Sequence, residues 1–191
     1  MMEKPKLLLH ICCAPCSTHV VEVLQEKYDV VGYFYNPNIH PENEYRRREE
    51  EMQGYARRIG IELVCAEYDA DRWFEEVKGL ENVPEGGERC FLCYRMRSEK
   101  AAQYAKEHGY QFLTSTLSIS PHKNAEKINE IGSEIAGHNG LQWYEADFKK
   151  RGGFDRSIIM SKEAGLYRQS YCGCVFSQKE AEQRRKKKRK L

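Results

Sequence analysis

The sequence has no apolar run approaching the roughly 20 residues that a membrane-spanning helix needs. Its opening stretch, MMEKPKLLLHICC, lacks the apolar core and small-residue cleavage site of a secretory leader. A cytoplasmic protein with no membrane contact is expected. There is no internal repeat and no evident domain boundary, so one domain is the simplest reading. No Gly-x-Gly-x-x-Gly follows any strand-like segment, which leaves a bound nicotinamide nucleotide unsupported. The six histidines are scattered without ligand spacing, and His10 reads as a buried, hydrogen-bonded core imidazole. Net charge is only +2, but RRKKKRK at 184–190 concentrates seven cations and leaves the rest of the chain net negative. We read 1–178 as a single catalytic domain and 179–191 as a basic, disordered tail; its alternative use is a sequence-blind phosphate contact.

What the chain does have is cysteine, eight in 191 residues. A chain of this length buries enough apolar surface to fold without disulfide staples. In a reducing compartment the cysteines therefore point to metal binding or redox chemistry.

Strand-like and helix-like segments alternate. KLLLHI (6–11) reads as a buried strand and STHVVEVLQEKY (17–28) as a helix capped by Ser17. VVGYFY is a second strand, stopped at Asn36-Pro37. ENEYRRREEEMQGYARRI (42–59) is a charged helix, IELVCAEYD (61–69) a third strand, QFLTSTLSIS a fourth strand with a Ser/Thr-rich loop, and LQWYEADF a last strand. This pattern predicts an α/β fold, a doubly wound and mostly parallel sheet whose ligands sit beyond the carboxyl ends of the strands. HICCAPC, Asp69 and Asp71, and the segment after Thr114 all fall on that edge. ATP-using proteins of this layout carry a Ser-Gly-Gly-x-Asp-Ser loop after the first strand. Residues 12–17 read CCAPCS instead, so ATP chemistry is not expected.

Three groups of cysteines carry the chemistry. Cys12, Cys13 and Cys16 form the first, Cys90 and Cys93 the second, and Cys172 and Cys174 the third. The first two supply five thiols, and their uneven spacing suits an iron-sulfur cluster better than a closed zinc site. One thiol is then left over, most naturally Cys16, which with Asp69 or Asp71 is a candidate for a second metal ion. In CGC, a disulfide would close a very small, strained and easily reduced ring, which favours a redox-active pair over two further metal thiolates. Cys65, inside an apolar strand, reads as core. Arg46, Arg47 and Arg48, with Arg57 and Arg58, are either a phosphate-binding face or a solvated one paired with Glu49–Glu51.

Taken together, HICCAPC, YFYNPNIHP, ERCFLCYRMR, TSTLSISPHKN and YCGC resemble the short, cobalamin-independent epoxyqueuosine reductases, with similarity across 6–178. The resemblance implies an adenine-nucleotide alpha-hydrolase-like (HUP) layout. It also implies reduction of the epoxide of epoxyqueuosine to queuosine at the wobble position of tRNA with a GUN anticodon. Carried over, the family's [4Fe-4S] ligands fall on Cys12, Cys13, Cys90 and Cys93, and its redox-active disulfide on Cys172 and Cys174. Cys16 lies outside both sets. On the residues alone, a second mononuclear ion, iron, beside Cys16 and Asp69 or Asp71 would polarise the epoxide oxygen, and either aspartate is a candidate acid. The expected partners are this tRNA and an electron donor, a protein or another reductant. The rival readings are an iron-sulfur tRNA thiolation enzyme and a zinc-stabilised RNA-binding module without catalysis.

Overall fold

The computed structural model describes residues 4–188. The run Leu7, Leu8 and Leu9 lies in β1 (Lys6–His10), the middle strand of a sheet completed by β2 (Asp29–Phe34), β3 (Leu63–Cys65), β4 (Phe112–Ser115) and β5 (Gln142–Trp143). The order is β3-β2-β1-β4-β5 and every pairing is parallel, as the alternating pattern predicts. All three leucines are fully buried. Leu8 packs with Leu113, Ile128 and Ile131 on one face, and Leu7 and Leu9 pack with Val20, Leu24 and Phe34 on the other. At about 2 kcal/mol for each fully buried leucine, the strand has reason to sit at the centre.

The first face is covered by α4 (Glu88–Glu107) and α5 (Ala125–His138), with α3 (Ala70–Glu76) packed on α4. The second is covered by α1 (Ala14–Gln25) and α2 (Glu42–Ile59), with α6 (Gly153–Glu163) against α1. The connection from β1 turns one way to β2 and the sheet is extended the other way by β4. The crevice between β1 and β4, at their carboxyl ends, is therefore where such folds bind ligands.

Four local expectations change. The last strand, expected over LQWYEADF, is only Gln142–Trp143. The first helix starts at Ala14 rather than after Ser17, because Pro15 fits a first turn whose N–H groups have no intrahelical partner. Ser17 instead donates its hydroxyl to Ala14 O at 2.8 Å. The third strand is shortened to Leu63–Cys65, since α3 begins at Ala70. The chain beyond 178 is helical, in α7 (Val175–Lys188), where a disordered tail was expected. Buried Ser177 and Ala181 give this helix an inner side, and Arg184 reaches Glu85 at 3.2 Å and Glu180 at 3.8 Å. The last residues of RRKKKRK lie outside the described residues.

Candidate metal and thiol site

Cys12 follows β1, Cys13 occupies the N-cap of α1 and Cys16 lies in its first turn. This places three sulfurs within 4.8 Å of one another, with Cys12 and Cys13 Sγ 3.9 Å apart. Thr116, just past β4, accepts a hydrogen bond from Cys12 N at 3.1 Å and donates to Cys12 Sγ at 3.3 Å. Gln169 Nε2 donates to Cys13 Sγ at 3.0 Å. Hydrogen bonding to Cys13, and then to Cys16, holds the Cys12 thiol well below its ordinary range. The same contact with Cys12 pushes Cys13 up to about 12, and Cys12 followed by Cys13 pushes Cys16 well above its usual value. The three thiols thus bear on one another's protons, and Cys12 is the one whose thiolate its neighbours favour. Three clustered soft donors suit a thiophilic metal.

Cys90 and Cys93 lie in the first turns of α4, one helical turn apart and so on one face. Burial pushes Cys90 up to about 12 and raises Cys93 as well. One turn further on, Arg97 is 1 % exposed. Its Nη1 lies 4.0 Å from Cys93 Sγ, its Nε 3.3 Å from His10 Nε2, and its Nη2 donates to Asn36 Oδ1. His10 Nδ1 is 2.8 Å from Ser115 Oγ and Nε2 is 3.1 Å from Tyr35 O. Burial and the neighbouring Arg97 hold the imidazole down at about 3, so it is the neutral, hydrogen-bonded core histidine expected. Arg97 brings fixed positive charge to the thiols, where thiolates or a cluster would otherwise be uncompensated.

Cys172 and Cys174 are set by a clasp on the backbone between them. Arg48 Nη1 donates to Cys172 O at 2.9 Å, His40 N donates to Gly173 O at 2.9 Å, and Tyr171 Oη donates to His40 O at 3.0 Å. Gly173 has φ 144°, and an added Cβ would come within 2.9 Å of Ile39 Cγ1. Only glycine fits there without strain. All eight cysteines are free thiols, so the expected Cys172–Cys174 disulfide is not formed. The two side chains have different surroundings: Cys172 lines a cavity, whereas Cys174 is 6 % exposed in the core.

That cavity has a volume of about 270 Å³ and is lined by Cys12, Cys16, Cys172, Arg97 and Lys123, among others. Burial opposes charge on Lys123, but the sulfurs of Cys172 and Cys12 raise it above its ordinary value, so it stays an ammonium. Asp69 and Asp71 are not brought to Cys16. Asp69 precedes α3 and lies near Tyr35, whose hydroxyl is pushed up to about 12 by burial and then by the Asp69 charge. Asp71 is exposed in the first turn of α3, and neither aspartate lines the cavity. The reason is topological: β3 is separated from β1 by β2, which puts the ends of the two strands about 10 Å apart.

The arginine run of α2 is committed as well. Arg46 pairs with Glu42 and Glu49, Arg47 lies 3.4 Å over the Tyr167 ring, and Arg48 is buried against Glu44. Arg89, Arg97, Lys123 and Gln169 are site residues that the sequence reading did not single out, and Arg48 belongs to the site rather than to a surface arginine face. A signal existed for two of them, because Arg89 and Arg97 lie four residues before and after Cys93 and so share its helix face.

A family model described as epoxyqueuosine reductase QueH matches residues 7–180. Among curated proteins of that name, the one from Acinetobacter baylyi is 47% identical over 174 residues, covering 90% of this chain and 80% of the relative. The one from Thermotoga maritima is 36% identical over 174 residues, covering 90% and 89% respectively. Among solved structures, the U34-tRNA thiolase NcsA from Methanococcus maripaludis, with its [4Fe-4S] cluster, superposes with a TM-score of 0.58 at 12% identity. That match covers 95% of this chain and 65% of the thiolase. A predicted tRNA methyltransferase subunit from Methanocaldococcus jannaschii gives a TM-score of 0.57 at 12% identity, covering 85% of this chain and 89% of that one. At such identity the two structures share the fold with this chain.

Proposed function

The chain belongs to the QueH family of epoxyqueuosine reductases, which are oxidoreductases, and on that premise we propose that its cavity reduces the epoxide of epoxyqueuosine to the alkene of queuosine at the wobble position of tRNA with a GUN anticodon. The observation that carries this reading is the convergence of Cys12, Cys16, Cys172, Arg97 and Lys123 on one cavity, with Cys93 beside Arg97.

We assign Cys12, Cys13, Cys90 and Cys93 as ligands of a [4Fe-4S] cluster. Thiolates are the donors such clusters take, these are buried or half-buried, and Arg97 and Lys123 supply compensating charge. When bound, the cluster supplies electrons one at a time. Cys16 is the sulfur left for a second mononuclear iron. Cys172 and Cys174 form the two-electron store, two thiols giving up two electrons and two protons as they become a disulfide. Removing the epoxide oxygen consumes two electrons and two protons and releases water, so the stoichiometries match. Lys123 faces the sulfurs from the cavity wall and holds the departing oxygen as negative charge develops on it. The wobble nucleotide already sits in a single-stranded loop, so extruding it into the cavity costs less than flipping a paired base. An external reductant returns the cysteine pair to dithiol.

The test is anaerobic purification with iron and sulfide quantified, then incubation with epoxyqueuosine-containing tRNA and a chemical reductant, and mass spectrometry of the released nucleosides. Loss of the mass of one oxygen, dependent on intact iron, supports the reading. Iron-replete protein that leaves the epoxide intact overturns the substrate, and zinc in place of iron overturns the redox chemistry.

A further inference from the structure

The two sulfurs of the CGC pair have unequal surroundings. Cys172 is half-buried and lines the cavity. Cys174 is 6 % exposed, and its Sγ accepts hydrogen bonds from Arg89 Nη1 at 3.2 Å and from the Ser177 N–H, in the first turn of α7, at 3.3 Å. Arg89 is itself 1 % exposed and held firmly. Its Nη2 donates to Val83 O at 2.8 Å and to Glu180 Oε1 at 3.3 Å, and its guanidinium lies 4.6 Å over the Phe176 ring. Ser177 Oγ donates to Cys174 O at 2.9 Å, fixing the other side of the residue. A guanidinium and a helix N-terminus therefore hydrogen-bond one sulfur of the pair, whereas the other opens on the cavity, where Lys123 faces it without a hydrogen bond.

We propose that the pair works with a fixed division of labour: Cys172 Sγ exchanges with an incoming dithiol reductant through the cavity, while Cys174 Sγ is the leaving and resolving sulfur, positioned by Arg89. This rests on the redox role proposed above for the pair. In the oxidised pair, a reductant thiolate attacks Cys172 Sγ and the bond to Cys174 Sγ breaks. The electron pair leaves on Cys174 Sγ, where Arg89 and the amide of Ser177 receive the charge. The second thiolate of the reductant then attacks its own sulfur in the mixed disulfide, releasing Cys172 as a thiolate. The reductant departs as a cyclic disulfide, oxidised by two electrons, and its two protons pass to the two cysteines. Which sulfur is attacked is set by access, and how easily the other leaves is set by how well its charge is held. The reverse assignment would require attack on a sulfur in the core.

The experiment uses the full chain, purified anaerobically, and a chromogenic aromatic disulfide as the probe, with labelled cysteines located by peptide mass spectrometry. In Cys174→Ser, Cys172 should take up the label and keep it. In the unsubstituted chain the label on Cys172 should be displaced by Cys174, releasing a second chromophore and leaving a Cys172–Cys174 disulfide. In Cys172→Ser, Cys174 should stay unlabelled until denaturant is added. Arg89→Met should slow the second release at least tenfold without changing the first labelling rate, and Arg89→Lys should recover part of it; a merely structural arginine would move both rates together. Labelling of Cys174 before Cys172 in the folded chain overturns the proposal, and the serine variants decide it even where Arg89→Met does not fold. The two readings fail separately. Ordered labelling without tRNA reduction removes the substrate assignment alone, and tRNA reduction with Cys174 labelled first removes the division of labour alone.

Discussion

Arg97 sits with its guanidinium 4.0 Å from Cys93 Sγ while 1 % of its surface reaches solvent. A cation so placed balances the sulfurs around it, and deleting it leaves His10, Asn36 and Cys93 facing a hole. Arg97→Gln should destabilise the fold by about 3 kcal/mol, the usual scale for breaking a buried charged network, and should lower the iron bound per chain after anaerobic reconstitution. Arg97→Lys should keep more of both. Denaturant titration and iron analysis check this, and unchanged iron in Arg97→Gln would remove the charge-balancing role.

The cysteine assignments separate by spectroscopy. Cys13→Ser or Cys93→Ser should abolish the visible absorbance of the reconstituted protein if each is a cluster ligand, as proposed. Cys16→Ala should leave that absorbance in place and abolish turnover. Turnover surviving in Cys16→Ala would show that the third sulfur of the triad is not needed for the chemistry.

Gly173→Ala puts a methyl group within 2.9 Å of Ile39 Cγ1 at a φ of 144° that L residues rarely adopt. The strain is worth about 1–3 kcal/mol, and part of it should be relieved by moving the loop away from His40 and Arg48. The expected result is a lower melting temperature together with a changed labelling rate of Cys172. A labelling rate identical to that of the unsubstituted chain would mean that the clasp does not set the position of the sulfur.

His40 is 5 % exposed, and Trp73 and Phe74 pack on its ring. Burial holds its pKa down from 6.5 to about 4. With the folded value below the unfolded one, the unfolded chain binds the extra proton. The neutral ring's contribution is therefore complete above pH 6.5 and is lost as pH falls towards 4. The slope is at most about 1.4 kcal/mol per pH unit for one proton. His40→Phe should flatten the loss of stability between those pH values in urea titrations of the metal-free chain, and equal slopes would assign the acid sensitivity to other groups.

The parts of the fold written in local pattern were legible from sequence. Glu42–Ile59 carries its apolar residues at helical spacing and ends at Gly60, and the helix has those bounds. The all-parallel sheet follows from the continuous burial of strands such as VVGYF. Features decided across the chain were less legible. Arg48 was read as one of three surface arginines, although its position three residues after Tyr45 and four before Met52 puts it on the inner stripe of α2. The cue was there, but charge outweighed periodicity. Asp69 and Asp71 follow the carboxyl end of the third strand, as their positions in sequence imply, but lie outside the cavity because β2 separates β3 from β1, an order that local pattern does not encode. The segment after 178 reads as disordered by composition; it is helical, with Glu180 and Arg184 finding partners more than 90 residues away in sequence, Arg89 for the first and Glu85 for the second.

The hydrogen bond from Gln169 to Cys13 joins residues 156 positions apart. A ribosome adding 5–20 residues per second needs roughly 8–30 s to span that interval. For all of that time Cys12, Cys13 and Cys16 are already outside the exit tunnel without the segment that will cover them. The triad is thus shielded only when synthesis is nearly complete, and its three neighbouring thiols wait for that cover longer than most small domains take to fold.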